Sequence, residues 1–187
     1  MTTAAVVLAA GGGSRFAGTG HKLLSDFRGR PLVAWAVDAP RASGFDEVVV
    51  IQGAVDLADV LPPDVTLLTN DRWAQGQATS LGVAVGHARR AAHDAIVVGL
   101  GDQPFIPPTA WRTVANAAAG PPIAVASYDG RRGNPVRIGA EVWDLLRFEG
   151  DEGARELMRR EPGLWGEVAC DGNPADVDTV EDLEQWS

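Results

Sequence analysis

The stretch Ala4-Ala5-Val6-Val7-Leu8-Ala9-Ala10-Gly11-Gly12-Gly13-Ser14-Arg15-Phe16 decides how this chain is read. Residues 4–9 are apolar without alternation, the pattern of a strand covered on both faces. Three consecutive glycines then end the run, and glycine lets backbone amides approach an anion with no Cβ in the way. Arg15 and Lys22 place positive charge beside the loop, and His21 can add to it. Free amides flanked by cations suit a triphosphate; a tight strand-to-helix turn with solvated basic residues fits the glycines equally well. Spacing excludes two other nucleotide devices. The Walker loop needs lysine directly after its last glycine, and the dinucleotide fingerprint needs glycine where Phe16 stands.

Outward from this strand, short apolar runs alternate with helical spacing. Strands are expected at Glu47–Gln52, Val65–Thr69, Ala95–Leu100, Ile123–Ser127 and Pro135–Ile138, with a last one around Val168. Helices are expected at Pro31–Ala42, Ala54–Leu61, Thr79–Ala92, Pro108–Ala119, Ala140–Leu146 and Gly153–Arg160. This alternation implies an α/β fold, a three-layer α/β/α Rossmann-like arrangement with a mostly parallel twisted sheet. Ligands bind such sheets at the carboxyl ends of the strands, which directs attention to residues 10–22 and 101–104.

Composition sets the outer limits. The chain has 187 residues, within reach of one domain, 1–187. Asp and Glu number 25 against 16 Lys and Arg, a net charge of −9 that argues against nucleic acid as a partner. A single cysteine, Cys170, permits no internal disulfide and fits a reducing compartment. No segment resembles a signal peptide or membrane span, so a cytoplasmic location is expected. The three histidines, His21, His87 and His93, are scattered and do not suggest zinc. Neither Ser14 nor Ser80 lies in a nucleophile elbow.

The string LAAGGGSRF followed by Lys22 resembles the signature of nucleotidyltransferases with the glycosyltransferase-A-like fold, and within them the molybdenum-cofactor cytidylyltransferase type. The resemblance covers nearly the whole chain: GRPL at 29–32, NDRWAQGQATSL at 70–81, GDQP at 101–104, RGNPV at 132–136, GDEGAR at 150–155 and DVDTVEDL at 176–183 follow in order. It implies an enzyme that moves a nucleoside monophosphate onto a phosphorylated acceptor and releases pyrophosphate. Both partners are anionic, so catalysis is positioning plus charge neutralisation.

What the resemblance implies for individual residues follows from these motifs. Leu8, Ala9, Ala10, Gly11, Gly12, Gly13 and Ser14 would line the nucleotide, with Arg15 on its β and γ phosphates and Lys22 on the α-phosphate. Asp102 would bind Mg2+, joined by Asp178 or Asp176, whose i, i+2 spacing points both the same way on an extended segment; Asp178 is slightly preferred. Taken without the resemblance, Asp102 caps a turn and Asp178 or Thr179 caps the last helix. Ala10, the third residue of the loop, resembles CTP-using members, where guanylyltransferases more often carry glycine. Gln77 and Ser80 would contact base or ribose; Ser80 or Thr79 serves equally as a helix cap.

On the acceptor side the resemblance points to Asn134, Pro135, Asp151 and Arg155, with molybdopterin as acceptor and a molybdoenzyme or its chaperone receiving the product. The chain departs from the family at Asn134, where many cofactor cytidylyltransferases carry histidine, and in a longer loop over 16–21. Trp35, Trp111 and Trp143 read as core or interface residues. Trp73 lies in the nucleotide segment. Alternatives are a guanylyltransferase, a sugar- or polyol-phosphate cytidylyltransferase of the same fold, and a non-catalytic nucleotide- or cofactor-binding module.

Overall fold

The computed structural model describes residues 1–13, 16 and 20–186. In chain order the elements are β1 (Thr3–Ala9), β2 (Asp26–Phe27), β3 (Arg30–Pro31), α1 (Leu32–Arg41), β4 (Glu47–Gln52), β5 (Thr66–Thr69), α2 (Gln77–Arg90), β6 (Ala95–Leu100), α3 (Pro108–Ala115), β7 (Ile123–Tyr128), β8 (Arg131–Gly139), α4 (Ala154–Arg160), β9 (Trp165–Ala169) and α5 (Val180–Trp186). Seven strands form one sheet in the order β5-β4-β1-β6-β8-β7-β9. The pairs β1–β4, β1–β6, β4–β5 and β7–β9 are parallel. Strand β8 runs antiparallel to both its neighbours. The expected α/β sheet is therefore present.

Both faces of β1 are covered, which accounts for its unbroken apolar run. Ala4, Val6 and Leu8 pack with Leu81, Ala84, Val85 and Ala88 of α2 and with Trp143. Ala5, Val7 and Ala9 pack on the other side with Val33 and Val37 of α1 and with Ala110, Trp111 and Val114 of α3. Trp111 and Trp143 are buried as expected, at 2% and 3% exposure. Gly99 makes room for the Trp111 ring, because a Cβ there would lie 2.6 Å from its Cζ2.

Local bounds differ from expectation for identifiable reasons. Residues 54–61 form only one 3-10 turn, Ala58–Val60. Gln52 Oε1 accepts the Leu57 amide and Asp56 Oδ1 the Ala58 amide, while Pro62 and Pro63 close the segment. Strand β8 begins at Arg131, four residues before the expected Pro135, because Asp129-Gly130 forms a hairpin turn with both φ angles positive, +50° and +76°. That Asp-Gly pair is a direct hairpin signal. The helix expected to reach Ala119 ends at Ala115 and is followed by a 3-10 turn, Ala117–Ala119.

From β1 the chain winds outward to β4 and β5, then returns to β6 on β1's other side. The reversal opens a crevice at the carboxyl ends of β1 and β6. No helix among the described residues is long and apolar enough to cross a membrane.

The opposite rim of the sheet is held by a carboxylate. Glu47 accepts Thr66 Oγ1 at 2.7 Å, His87 Nε2 at 2.9 Å and His93 Nε2 at 2.8 Å. Burial pushes its carboxyl up, but these hydrogen bonds prevail and hold it below the ordinary carboxylate range. Its contribution is therefore complete above the unfolded carboxylate's pKa and is lost as pH falls through the lower folded value. Glu47→Gln is expected to cost about 1–3 kcal/mol at pH 7. Thermal melts across pH 3–7 should show the gap from wild type closing towards the acid end.

Candidate active site

Lys22 is the centre of the crevice. Its Nζ donates to Asp102 Oδ2 at 2.7 Å and to Asp178 Oδ1 at 2.9 Å, with the residue only 7% exposed. Burial alone would lower the ammonium's pKa; the adjacent Asp102 and Asp178 carboxylates outweigh it and hold the pKa above its ordinary value. Three distant parts of the chain meet here: the turn after the glycine loop, the end of β6 and the segment before α5.

Each partner is placed by its backbone. Gly101 lets Asp102 leave β6 against β1, since a Cβ there would sit 3.0 Å from that of Ala9, and its amide donates to Leu8 O at 2.9 Å. Asp102 O accepts the Val177 amide at 2.9 Å, and Val177 is fully buried beside Phe27 and Leu32. Thr179 Oγ1 accepts the Asp182 amide, and Asp182 Oδ2 accepts the amides of Asp178 and Thr179. This reciprocal cap is made by Thr179 and Asp182, so the Asp178 carboxylate is turned to Lys22 rather than spent on α5. Asp176 instead accepts Gln103 Nε2 at 2.6 Å. Burial first, then the Asp102 charge, raises its carboxyl above the ordinary range, opposed by the Gln103 hydrogen bond.

The glycine loop leaves β1 towards this cluster. His21 ties the two together: its Nε2 donates to Gly11 O at 3.0 Å, while Nδ1 accepts the Leu23 amide at 3.3 Å. His21, expected to add to the positive charge beside the loop, is thus tied to the backbone through both ring nitrogens and braces the loop against the turn that carries Lys22. Ser14 and Arg15, expected on the triphosphate, lie outside the described residues. Trp73 stands over the loop; a Cβ on Gly12 would lie 3.1 Å from its ring and one on Gly53 2.7 Å from its own Cβ. Leu8, Ala10, Gly11, Gly12, Trp73, Gln77 and Ser80 line a cleft of about 510 Å³, together with Asp102, Asp176 and Asp178. Ala9, Gly13 and Lys22 line an adjoining space of about 470 Å³.

Ser80 is buried and accepts Asn70 Nδ2 at 2.9 Å; the same nitrogen donates to Thr79 Oγ1 at 2.8 Å. Asn70, which sequence reasoning did not single out, thus anchors the start of α2 at the cleft. The loop over 150–151 covers that start as well. Gly150 O accepts the Ala78 amide and Asp151 Oδ1 the Gln77 amide. Gly76, at φ +114°, permits this approach, since a Cβ would fall 2.3 Å from Gly150 backbone.

On the acceptor side, Asn134, Asp151 and Arg155 line one smaller, largely apolar recess with Leu81, Val136, Ile138 and Met158. Pro135 is buried and does not line that recess; it sits beside Asn134 at an irregularity of β8, between Gly133 and Val136, where the pairing with β7 shifts register. Asn134 Nδ2 donates to Gln103 Oε1 at 2.9 Å, a link invisible in the sequence.

Among the described residues, no three carboxylate, imidazole or thiol groups converge closely enough to hold a metal on their own. Two carboxylates do meet, and Asp102 Oδ1 is buried with no hydrogen-bond partner among the described residues. Mg2+ commonly takes one or two carboxylates and completes its shell with water and substrate phosphates, so this donor set fits such an ion.

Amides and a lysine gathered against two carboxylates at a sheet's switch point suit a nucleoside triphosphate, and the class they define is the nucleotidyltransferases. The chain belongs to the MobA-like NTP transferase domain family, whose pattern matches residues 5–164. It is similar to nicotine blue oxidoreductase of Paenarthrobacter nicotinovorans, 32% identical over 95% of this chain and 93% of that protein. Shorter likenesses reach a bifunctional GlmU of Cutibacterium acnes (33% identity, 55% of this chain, 25% of that one) and a 3-deoxy-manno-octulosonate cytidylyltransferase of Colwellia psychrerythraea (30%, 52% and 35%). Among solved structures, Rv0371c of Mycobacterium tuberculosis superposes with a TM-score of 0.84 at 27% identity, covering 100% of this chain and 97% of that one. The same protein in complex with manganese matches with a TM-score of 0.78 at 26% identity, covering 100% and 98%.

Removing the ammonium leaves two carboxylates face to face. Lys22→Ala is expected to lower stability by about 2–3 kcal/mol, less than a fully buried pair because both aspartates keep some solvent contact. Added divalent ion should raise the Tm of this variant more than that of wild type, which differential scanning fluorimetry measures directly.

Proposed function

We propose that the chain transfers CMP from CTP to a phosphorylated small molecule, with molybdopterin as the acceptor, and releases pyrophosphate. The observation that carries this reading is Lys22 held between Asp102 and Asp178 where β1 and β6 end, next to the glycine loop. In the transfer an acceptor phosphate oxygen attacks the α-phosphorus and the Pα–O–Pβ bond breaks, its electron pair leaving with pyrophosphate. The amides of Gly11 to Ser14 and the Arg15 guanidinium hold the triphosphate. Lys22 exchanges a carboxylate partner for an α-phosphate oxygen, staying charge-paired as negative charge grows there. Asp102 and Asp178 hold Mg2+, with Asp176 set aside on Gln103; the ion neutralises phosphate charge when bound.

Leu8 and Ala10 line the cleft beside the base, with Ala10 favouring CTP by resemblance and Ala9 on the adjoining space, and Gln77 and Ser80 reach base or ribose. Asn134, Asp151 and Arg155 face the acceptor, Arg155 supplying charge for its phosphate. A cytoplasmic, single-domain protein handing its product to a molybdoenzyme or chaperone completes the reading. GTP use, or a sugar- or polyol-phosphate acceptor, is the alternative within the same chemistry. A second class, an oxidoreductase, is favoured by one observation, the name of the nicotine blue oxidoreductase relative.

Calorimetric titration with CTP, GTP, ATP and UTP, with and without Mg2+, tests the nucleotide; a metal-dependent preference for CTP is expected. GTP preference would move the protein to the guanylyltransferases. Binding without pyrophosphate release across a panel of phosphorylated acceptors would favour a carrier module, and a spectroscopically detected redox change of nicotine blue with the protein would favour the oxidoreductase reading. For the transferase, Asp102→Asn should lower pyrophosphate release by about 10²–10³-fold while CTP still binds.

A further inference from the structure

Gln103 sits between the two halves of the site and touches neither Lys22 nor the paired carboxylates among its hydrogen-bond partners. It is 7% exposed, and its amide is used at both ends. Nε2 donates to Pro174 O at 2.9 Å and to Asp176 Oδ1 at 2.6 Å. Both partners can only accept, so the orientation of the amide is determined, and Oε1 is left to accept Asn134 Nδ2 at 2.9 Å. Asn134 is held in turn by Tyr128, whose hydroxyl donates to Asn134 O at 2.7 Å. With the bond from Val177 N to Asp102 O, Gln103 sutures the segment 174–178 to the loop that carries Asp102.

We propose that Gln103 is a positioning residue for the divalent-ion site: it turns Asp176 aside and fixes the 174–178 segment so that Asp178 faces Asp102 at the spacing an ion needs. The inference rests on the reading that Asp102 and Asp178 hold that ion. Asp176 lines the same cleft as Asp102 and Asp178. Without the Gln103 amide its carboxylate loses the donor that holds it aside, and the chain that carries Asp178 loses its tie to the Asp102 loop with it. The chain of contacts continues to Asn134 in the acceptor recess, so the same amide connects acceptor side and metal side. Partners that orient ligands in this way typically contribute about 10–100-fold to metal affinity.

The test is Mn2+ binding to the full chain in the presence of CTP, followed by electron paramagnetic resonance. Gln103→Leu keeps the volume and removes both donors. It is expected to weaken Mn2+ binding by about 10–100-fold and to raise the metal concentration for half-maximal turnover, with kcat at saturating Mn2+ near wild type. Gln103→Glu, which sets a carboxylate against Asp176, should be weaker still. Wild-type Mn2+ affinity in a folded Gln103→Leu variant would overturn the inference, leaving Gln103 a packing residue. Failure of the wild-type protein itself to bind Mn2+ would instead overturn the underlying reading of Asp102 and Asp178. Should Gln103→Leu not fold, Asn134→Ala removes only the far anchor of the amide; a loss of Mn2+ affinity supports the suture and an unchanged affinity sinks it.

Discussion

Two carboxylates facing one another in a half-buried crevice require a cation between them, and the rest of the site is arranged around meeting that requirement. Asp102 and Asp178 meet it through the Lys22 ammonium, whose pKa burial alone would lower. The two carboxylates outweigh that burial and stabilise the lysine's charged state. A site of this kind is held at a local balance of charge that a nucleotide and a metal ion can enter together. In the proposed transfer, phosphate would take a share of the lysine while the ion would take a share of the carboxylates, leaving no group buried and unpaired.

The sheet topology makes the balance possible. Reversal of strand order beside β1 brings the ends of β1 and β6 out next to one another, so Lys22 and Asp102, 80 residues apart in sequence, share one crevice. Close backbone approaches then set the finer geometry. Gly101 permits β6 to end against Ala9, Gly12 and Gly53 leave room for Trp73, and Gly76 lets the 150–151 loop lie on the start of α2. The last of these has a chemical consequence. The α2 amides at Gln77 and Ala78 are already engaged by Asp151 and Gly150, so that helix start does not offer them to an anion.

Much of the architecture was legible in the residue pattern because buried strands are written as short apolar runs. β4 and β6 fall where the apolar runs over 47–52 and 95–100 place them, and β1 within one residue. The pattern was misleading where side chains competed with the backbone. Gln52 and Asp56 cap amides that a helix over 54–61 would have used itself. The Asp129-Gly130 turn was a plain signal left unread. Of the site, Lys22, Asp102 and the Asp176/Asp178 pair could be chosen by chemistry and motif, whereas Gln103 and Asn70 could not. Neutral amides carry no signature until their partners are known, and all three partners of the Gln103 side chain lie 31 or more residues away.

The sequence by itself determined the class of fold, the edge of the sheet where a ligand sits and the charged residues that meet there. Those features follow from local pattern: apolar runs, glycines that expose amides, and carboxylates at strand ends. Only the tertiary structure decided which aspartate faces the lysine. Asp176 and Asp178 share one extended spacing, and what separates them is the Gln103 donor reaching one and the Thr179–Asp182 cap orienting the other. It likewise decided that His21 braces the glycine loop against the turn carrying Lys22, and that Pro135 is buried in β8. Hydrogen bonds between segments distant in the chain make these distinctions, and no local pattern encodes which donor will arrive.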